Sequence, residues 1–174
     1  MKPDYYKRIW NKVLSSGEEI KYEFGISDQY IRMSLIFLGI FSAVILIFLV
    51  IAFTQGSSNK TAEFVLLVLM FAIPILAIYF YNGFYLRRAN AYAFTNKRVL
   101  VHEGWLSTSL NSIDYGKITE IEINEGFFER TFFKTGSMTI TTAAQGLYPV
   151  ILSHIDQPYE IKKQLEKIKS EVKI

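Results

Sequence analysis

Residues 33–53 read MSLIFLGIFSAVILIFLVIAF and residues 64–86 read FVLLVLMFAIPILAIYFYNGFYL; neither run contains Asp, Glu, Lys, Arg or His. As α-helix, each would be roughly 30–35 Å long at about 1.5 Å per residue, the thickness of a bilayer's hydrocarbon core. A core helix of a soluble protein needs one apolar stripe, whereas these runs are apolar on every face. The pair predicts a transmembrane α-helical hairpin over residues 33–86, with an external loop at 54–63. A cytoplasmic segment, residues 1–32, precedes it, and a cytoplasmic domain, residues 87–174, follows.

The distribution of positive charge sets the orientation. Lys2, Lys7, Arg8, Lys12, Lys21 and Arg32 stand before the first run, and Arg87, Arg88, Lys97 and Arg98 soon after the second, while the connecting loop has Lys60 alone. Both termini are therefore expected in the cytoplasm of a multi-pass cell-membrane protein. The first run starts too late and runs too long for a cleavable signal segment, so it is read as an uncleaved anchor. Pro74 falls within the second run and is expected to kink its helix. With no charge inside either run there is no proton relay or ion ligand, and nothing marks a transport gate.

The rest of the composition excludes several kinds of chemistry. The 174 residues include no cysteine, which removes disulfides, thiolate nucleophiles and Cys-based metal sites. A net charge of +3 is not a nucleic-acid footprint. The two histidines, His102 and His154, stand alone in strand-like segments without the clustered ligands a metal needs. Ser107, Thr108, Ser109 and Ser112 lack a nucleophile elbow and an obvious base, Glu120, Glu122 and Glu125 read as a solvated strand face, and no glycine-rich phosphate loop occurs. No enzyme, cofactor, metal site or small-molecule substrate is expected.

Before the hairpin, residues 5–14 predict a short amphipathic helix with Tyr6, Ile9, Trp10 and Val13 on one face. It could lie at the headgroup level or pack on the C-terminal domain. Ser15-Ser16-Gly17 ends it. Residues 19–26 alternate, with Ile20, Tyr22, Phe24 and Ile26 against Glu19, Lys21, Glu23 and Gly25, and predict a half-buried strand. A lone strand is not stable in water, so it should borrow an edge of the later sheet. Ser27 or Asp28 can cap the helix that follows.

After the hairpin, strands are expected at 90–95 and 98–102 around an Asn96-Lys97 turn, then at 106–114, 117–124, 137–142 and 148–154. Asp156 or Gln157 should cap a helix over residues 158–172. Pro158 suits its first turn, and Ile161, Leu165, Ile168 and Val172 form its apolar stripe. About six short strands followed by one helix make an antiparallel open barrel or sandwich capped by that helix.

Several short stretches strengthen this reading. They are Gly17-Glu18-Glu19, Tyr92-Ala93-Phe94-Thr95-Asn96-Lys97-Arg98, residues 118–123, Phe127-Phe128-Glu129-Arg130, Gly136-Ser137-Met138-Thr139-Ile140 and Ile155-Asp156-Gln157-Pro158. In this order behind two apolar runs, they resemble the bacterial membrane-flanked PH-like (pleckstrin-homology-like) domain family. The resemblance implies a transmembrane hairpin with a cytoplasmic PH-like domain, and it implies no reaction. In PH folds that bind phosphoinositides, basic residues around the first hairpin contact the headgroup phosphates. Lys97 and Arg98, with Arg87, Arg88 and Lys117, are the residues available for such contact, although a structural role for Asn96 and Arg98 in the turn is the stronger expectation. Arg87 and Arg88 would anchor the second span against anionic headgroups.

Phe127, Phe128, Phe132 and Phe133 exceed what an exposed loop normally holds. A plug in the domain's own core, insertion at the membrane surface and a protein contact compete, with two of the four expected to pack internally. The function expected is a non-enzymatic, membrane-anchored module for self-association or recruitment of another membrane protein. An anionic headgroup sensor and an accessory subunit of a larger membrane complex are the alternatives. The partners expected are the lipid bilayer and a second copy or another membrane protein.

Overall fold

In a computed structural model, residues 4–55, 61–104, 106–143 and 149–172 are described. The start of the expected strand at Tyr148 and the middle of the 54–63 loop lie outside them. The chain divides into two compact units, residues 1–30 with 88–174, and residues 31–87.

In the first unit, α1 (Asp4–Val13) and β1 (Ile20–Gly25) come first. β2 (Asn90–Thr95), β3 (Arg98–Glu103) and β4 (Ser109–Asp114) follow much later in the chain, and with β1 they form a sheet in the order β1-β2-β3-β4. β5 (Ile118–Asn124), β6 (Thr135–Thr142) and β7 (Val150–Asp156) form a second sheet in that order. All pairings are antiparallel. The helix α5 (Pro158–Glu171) closes the domain. This is a PH-like β-sandwich with a C-terminal helix, and its first strand lies on the far side of the apolar segment in sequence.

β1 forms because apolar and polar residues alternate, and it is held because β2 offers an edge: Gly25 pairs with Ala91, Phe24 with Tyr92 and Tyr22 with Phe94. The alternation is broken once. A bulge between Ile20 and Tyr22 inserts one residue and turns Ile20 onto the opposite face of the sheet. Tyr22 and Phe24 face the main core, whereas Ile20 packs under α1. Beyond β1, Ile26 bridges Ile155 and the Ser27 N–H donates to the His154 carbonyl at 2.9 Å, joining the two sheets at one corner.

β2 is buried on both faces for a reason visible in its residues. Tyr92 and Phe94 enter the core with Val99 and Val101, while Ala91 and Ala93 on the reverse face are small enough to admit a helix. Of the two placements open for α1, the helix takes the domain. Trp10 is wholly buried against Ala91, Ala93 and Leu100, and its indole N–H donates to Glu23 Oε1 at 3.3 Å. α5 lays Ile161, Leu165 and Ile168 on the main core. Its N-cap position is Gln157, in a left-handed conformation and without a side-chain cap bond. Neither Asp156 nor Gln157 caps by its side chain as expected; instead the Gln157 carbonyl accepts the Glu160 and Ile161 N–H groups.

The second unit is made by α2, which begins in the first unit (Asp28–Gln55), and α3 (Thr61–Phe80). The Ser27 hydroxyl caps α2, accepting from the N–H of Gln29 at 3.2 Å and of Tyr30 at 3.4 Å. Pro74 lies inside α3, and the helix continues through one π-helical turn (Tyr81–Tyr85) into α4 (Leu86–Ala89). Residues 28–51 and 67–89 are long and apolar enough to cross a membrane, with mean hydropathies of 3.0 and 1.9. Their side chains are exposed rather than packed into a core: Ile40, Phe48, Met70 and Leu76 are all more than half accessible.

Replacing Trp10 with Ala removes the largest side chain holding α1. A loss of about 3 kcal/mol raises the population with α1 detached by roughly 100-fold. Protease cleavage around Ser15-Ser16-Gly17 should accelerate while β-sheet circular dichroism persists. An unchanged cleavage rate would show that α1 is held by something other than Trp10.

Candidate functional site

The turn between β2 and β3 is where two of the quoted stretches meet. Glu18 of Gly17-Glu18-Glu19 is buried, and its carboxylate faces Arg98 of the Thr95-Asn96-Lys97-Arg98 turn. The guanidinium donates from Nε to Oε1 and from Nη2 to Oε2, each at 2.9 Å, a bidentate pair. The Thr95 hydroxyl donates to Oε1 at 2.8 Å and the Ser15 N–H to Oε2 at 2.9 Å, so four donors meet this carboxylate. The Arg98 guanidinium holds the Glu18 carboxyl at about 2, well below its ordinary 4.5, against burial that pushes the other way. Arg98 also reaches the Val13 carbonyl at 3.2 Å and the Ser112 hydroxyl at 3.1 Å, and its own pKa is raised by Glu18.

Asn96 completes the contact. Its side-chain oxygen accepts the Glu19 N–H at 3.0 Å and its amide donates to the Gly17 carbonyl at 3.1 Å. The buried Tyr115 hydroxyl donates to the Thr95 carbonyl at 2.6 Å, and burial pushes its pKa up. The two motifs form one polar clasp that fixes the start of β1 against the turn of its neighbour.

The basic residues expected to act together are divided by this geometry. Lys97 Nζ donates to the Ser16 carbonyl at 3.2 Å, Arg98 is engaged by Glu18, and Lys117 pairs with Asp114 at 3.4 Å. These three occupy one end of the first sheet, where Arg98 pairs with Asp114. Arg87 and Arg88 lie in α4, immediately before β2, and both already have partners. The Arg88 end of the sheet, marked by Asn90 opposite Glu103, is a full strand length away, roughly 15–20 Å. The Asn96-Lys97 turn is also the second strand connection, because β1 precedes the apolar helices; the first connection is the apolar segment itself. The turn is the first tight hairpin along the chain, as expected from the sequence, and the second of the sheet's strand connections.

The four phenylalanines lie on a short helical turn over residues 127–133, between β5 and β6. Phe133 is half-buried, with its ring 5.2 Å from Tyr30 on the first turn of α2. Phe127, Phe128 and Phe132 are 73%, 67% and 40% exposed, so Phe127 and Phe128 are the outermost of the four. The turn is tied down by Glu129, whose Oε1 lies 3.0 Å from His154 Nδ1 and whose Oε2 accepts the Gly126 N–H at 3.2 Å. His154 in turn stacks on Tyr30 with ring centroids 3.9 Å apart and holds a φ of +51°. In the sequence His154 stands alone and Glu129 belongs to the Phe127-Phe128-Glu129-Arg130 stretch, and residues so distant carry no joint signal. The other histidine, His102, is buried beneath Trp10 with its pKa lowered by that burial.

The sandwich and its capping helix define a PH-like domain. The family model described as bacterial PH domain matches residues 31–171, and the chain belongs to that family. Two solved structures are similar over nearly their whole length at 11% identity, each with a TM-score of 0.47. One is a DUF1696 family protein with a pleckstrin-homology domain from Shewanella loihica PV-4, covering 95% of both chains. The other is a pleckstrin homology domain from Shewanella amazonensis SB2B, covering 94% of this chain and 95% of its own. No curated protein matches the chain.

The clasp has a pH signature. Because folding lowers the Glu18 pKa, its contribution is present in full above pH 4.5 and lost as pH falls from there towards 2. Glu18→Gln should flatten that stretch of the stability profile, measured by thermal melting of the full chain in detergent. Arg98→Ala leaves a buried charge unpaired and should cost about 3–5 kcal/mol at neutral pH. Parallel pH profiles for the wild type and Glu18→Gln would contradict this account.

Proposed function

We propose that the chain is a two-span membrane protein that holds its PH-like domain at the cytoplasmic face, where it serves self-association or recruitment of another membrane protein. The observation that carries this reading is the pairing of Gly25 with Ala91. The chain leaves the first sheet at one of these residues and returns at the other, one strand apart. A segment that starts and finishes beside itself must cross a bilayer an even number of times. With two spans available, a hairpin is the simplest solution.

Three further features support it. The apolar side chains of both helices are exposed in a way water would not favour, and lipid would. Tyr79, Tyr81 and Tyr85 precede Arg87 and Arg88, the order of an aromatic belt followed by headgroup-facing cations. Lys and Arg crowd the domain side, and the connecting loop has only Lys60. Bacterial PH domains are generally binding modules rather than enzymes, and PH domains commonly bind lipids or proteins. Headgroup sensing through Lys97, Arg98 and Lys117 is the weaker reading: each already serves an internal partner, at the end of the sheet away from the chain's exit.

The absence of cysteine makes the test direct. Thr54→Cys should react with an impermeant maleimide added to intact cells, whereas Lys97→Cys should react only after permeabilisation. Equal labelling of both from outside would overturn the two-span topology. The mass of the full chain in mild detergent then tests the assembly role. A discrete homo-oligomer or a retained second membrane protein is expected, and a bare monomer would contradict it.

A further inference from the structure

Besides Ile151 on β7 and Tyr159 on α5, exposed large apolar side chains described in the first unit stand at the end where its chain runs out to the apolar segment. Leu106 is 85% exposed on the β3–β4 connection, which lies at the end of the first sheet where Asn90 faces Glu103 and Glu103 faces Ser109. That is also the end at which Gly25 pairs with Ala91. Gly104, at φ +89°, is what lets this connection turn so tightly, since a side chain there would run into the Ser107 carbonyl. Phe127, Phe128 and Phe132 stand on the β5–β6 turn, which reaches the β1 side of that end by direct contact, Phe133 on Tyr30 and Glu129 on His154. Tyr30 precedes the first apolar run by only two residues.

The charges around this group are of both signs, with Glu103 and Glu125 half-buried beside the two connections. Both oxygens of Glu129 are engaged within the domain, while Arg130 and Lys134, on either side of Phe132, are exposed. Exposed aromatics interleaved with cations fit the interface of an anionic bilayer, where apolar rings enter about 5–10 Å and basic groups stay at the phosphates. Among the described residues at the opposite end of the same sheet, Lys97 donates to the Ser16 carbonyl and Lys117 pairs with Asp114.

We infer that Leu106, Phe127, Phe128 and Phe132, with Arg130 and Lys134, form a seating surface by which the PH-like domain rests in the interfacial layer of the anionic membrane that its own helices cross. The inference rests on the two-span reading and adds a second, independent set of lipid contacts. These contacts come from the β3–β4 and β5–β6 connections rather than from the basic Asn96-Lys97 turn.

The test uses the full chain, reconstituted into phosphatidylcholine–phosphatidylglycerol vesicles, with an environment-sensitive fluorophore on single cysteines at Leu106, Phe128, Ile40 or Lys117. Probes at Leu106→Cys and Phe128→Cys should shift to the blue and lose emission to lipids with a spin label near the headgroup, more than to lipids labelled deep in the acyl chain. The Ile40→Cys probe should be quenched by the deep label, and the Lys117→Cys probe by neither. Solvent-like emission at 106 and 128 with normal quenching at 40 would overturn the seating surface and leave the anchor standing. Blue-shifted but unquenched emission at 106 and 128 would mean that protein, a second copy or a partner, covers the surface, and would equally overturn it. Loss of quenching at Ile40 would sink the membrane reading and the inference together.

Discussion

Pairing between β1 and β2 is the constraint on which the domain depends. The two strands are neighbours in space and separated in sequence by everything from Ile26 to Ala89. Closing a flexible loop of that length costs roughly 4 kcal/mol by the logarithmic law, before any constant term. The strand is accordingly pinned at both ends. At its start the Glu18–Arg98 clasp and the Asn96 amide hold it to the β2–β3 turn, and at its finish Ile26 and Ser27 bond to β7. On the membrane reading the cost falls further, because two helices joined by a short loop bring Ser27 and Asn90 near each other before the sheet forms.

The clasp shows why a charged pair is worth burying here. A carboxylate removed from water loses several kcal/mol of solvation, and a single ion pair seldom recovers it. Glu18 receives a bidentate guanidinium, a hydroxyl and a backbone N–H, which together keep it ionised. An apolar replacement could pack as well but would carry no directional information. The polar set specifies which residue of the pre-hairpin segment meets which residue of the turn, and so fixes the register of a strand whose own alternation is interrupted by a bulge.

Much of this was legible in the residues. The β2–β3 turn lies at Asn96-Lys97, the α5 stripe buries Ile161, Leu165 and Ile168, and the strand before the apolar runs does join the later sheet, because each follows from local periodicity or turn chemistry. What failed was non-local. A single inserted residue in β1 cannot be seen in an alternation pattern, yet it sends Ile20 to the other face. Four phenylalanines in a short stretch leave a plug, a membrane contact and a protein contact open, because a helical turn of that length presents its residues in several directions and only the fold shows which are covered. Leu106 reads as the first residue of a strand over 106–114, whereas β4 begins at Ser109 and leaves it exposed on the connection. Lys97 and Arg98 were grouped with Arg87 and Arg88 by proximity in sequence, which a strand of six residues is enough to undo.

Insertion of the apolar segment between paired strands also changes what an anchor can do. A domain at the end of a single span is tethered at one point and is free to rotate about it. Here two adjacent strands, β1 and β2, each continue in the chain towards an apolar helix, so the segment is held at both ends by their pairing. That pairing shares Thr95 with the clasp and Tyr92 and Phe94 with the main core. Association of the helices in the bilayer, which a membrane tether favours by raising the effective concentration of every copy, would therefore reach the sandwich through backbone hydrogen bonds rather than through a flexible linker.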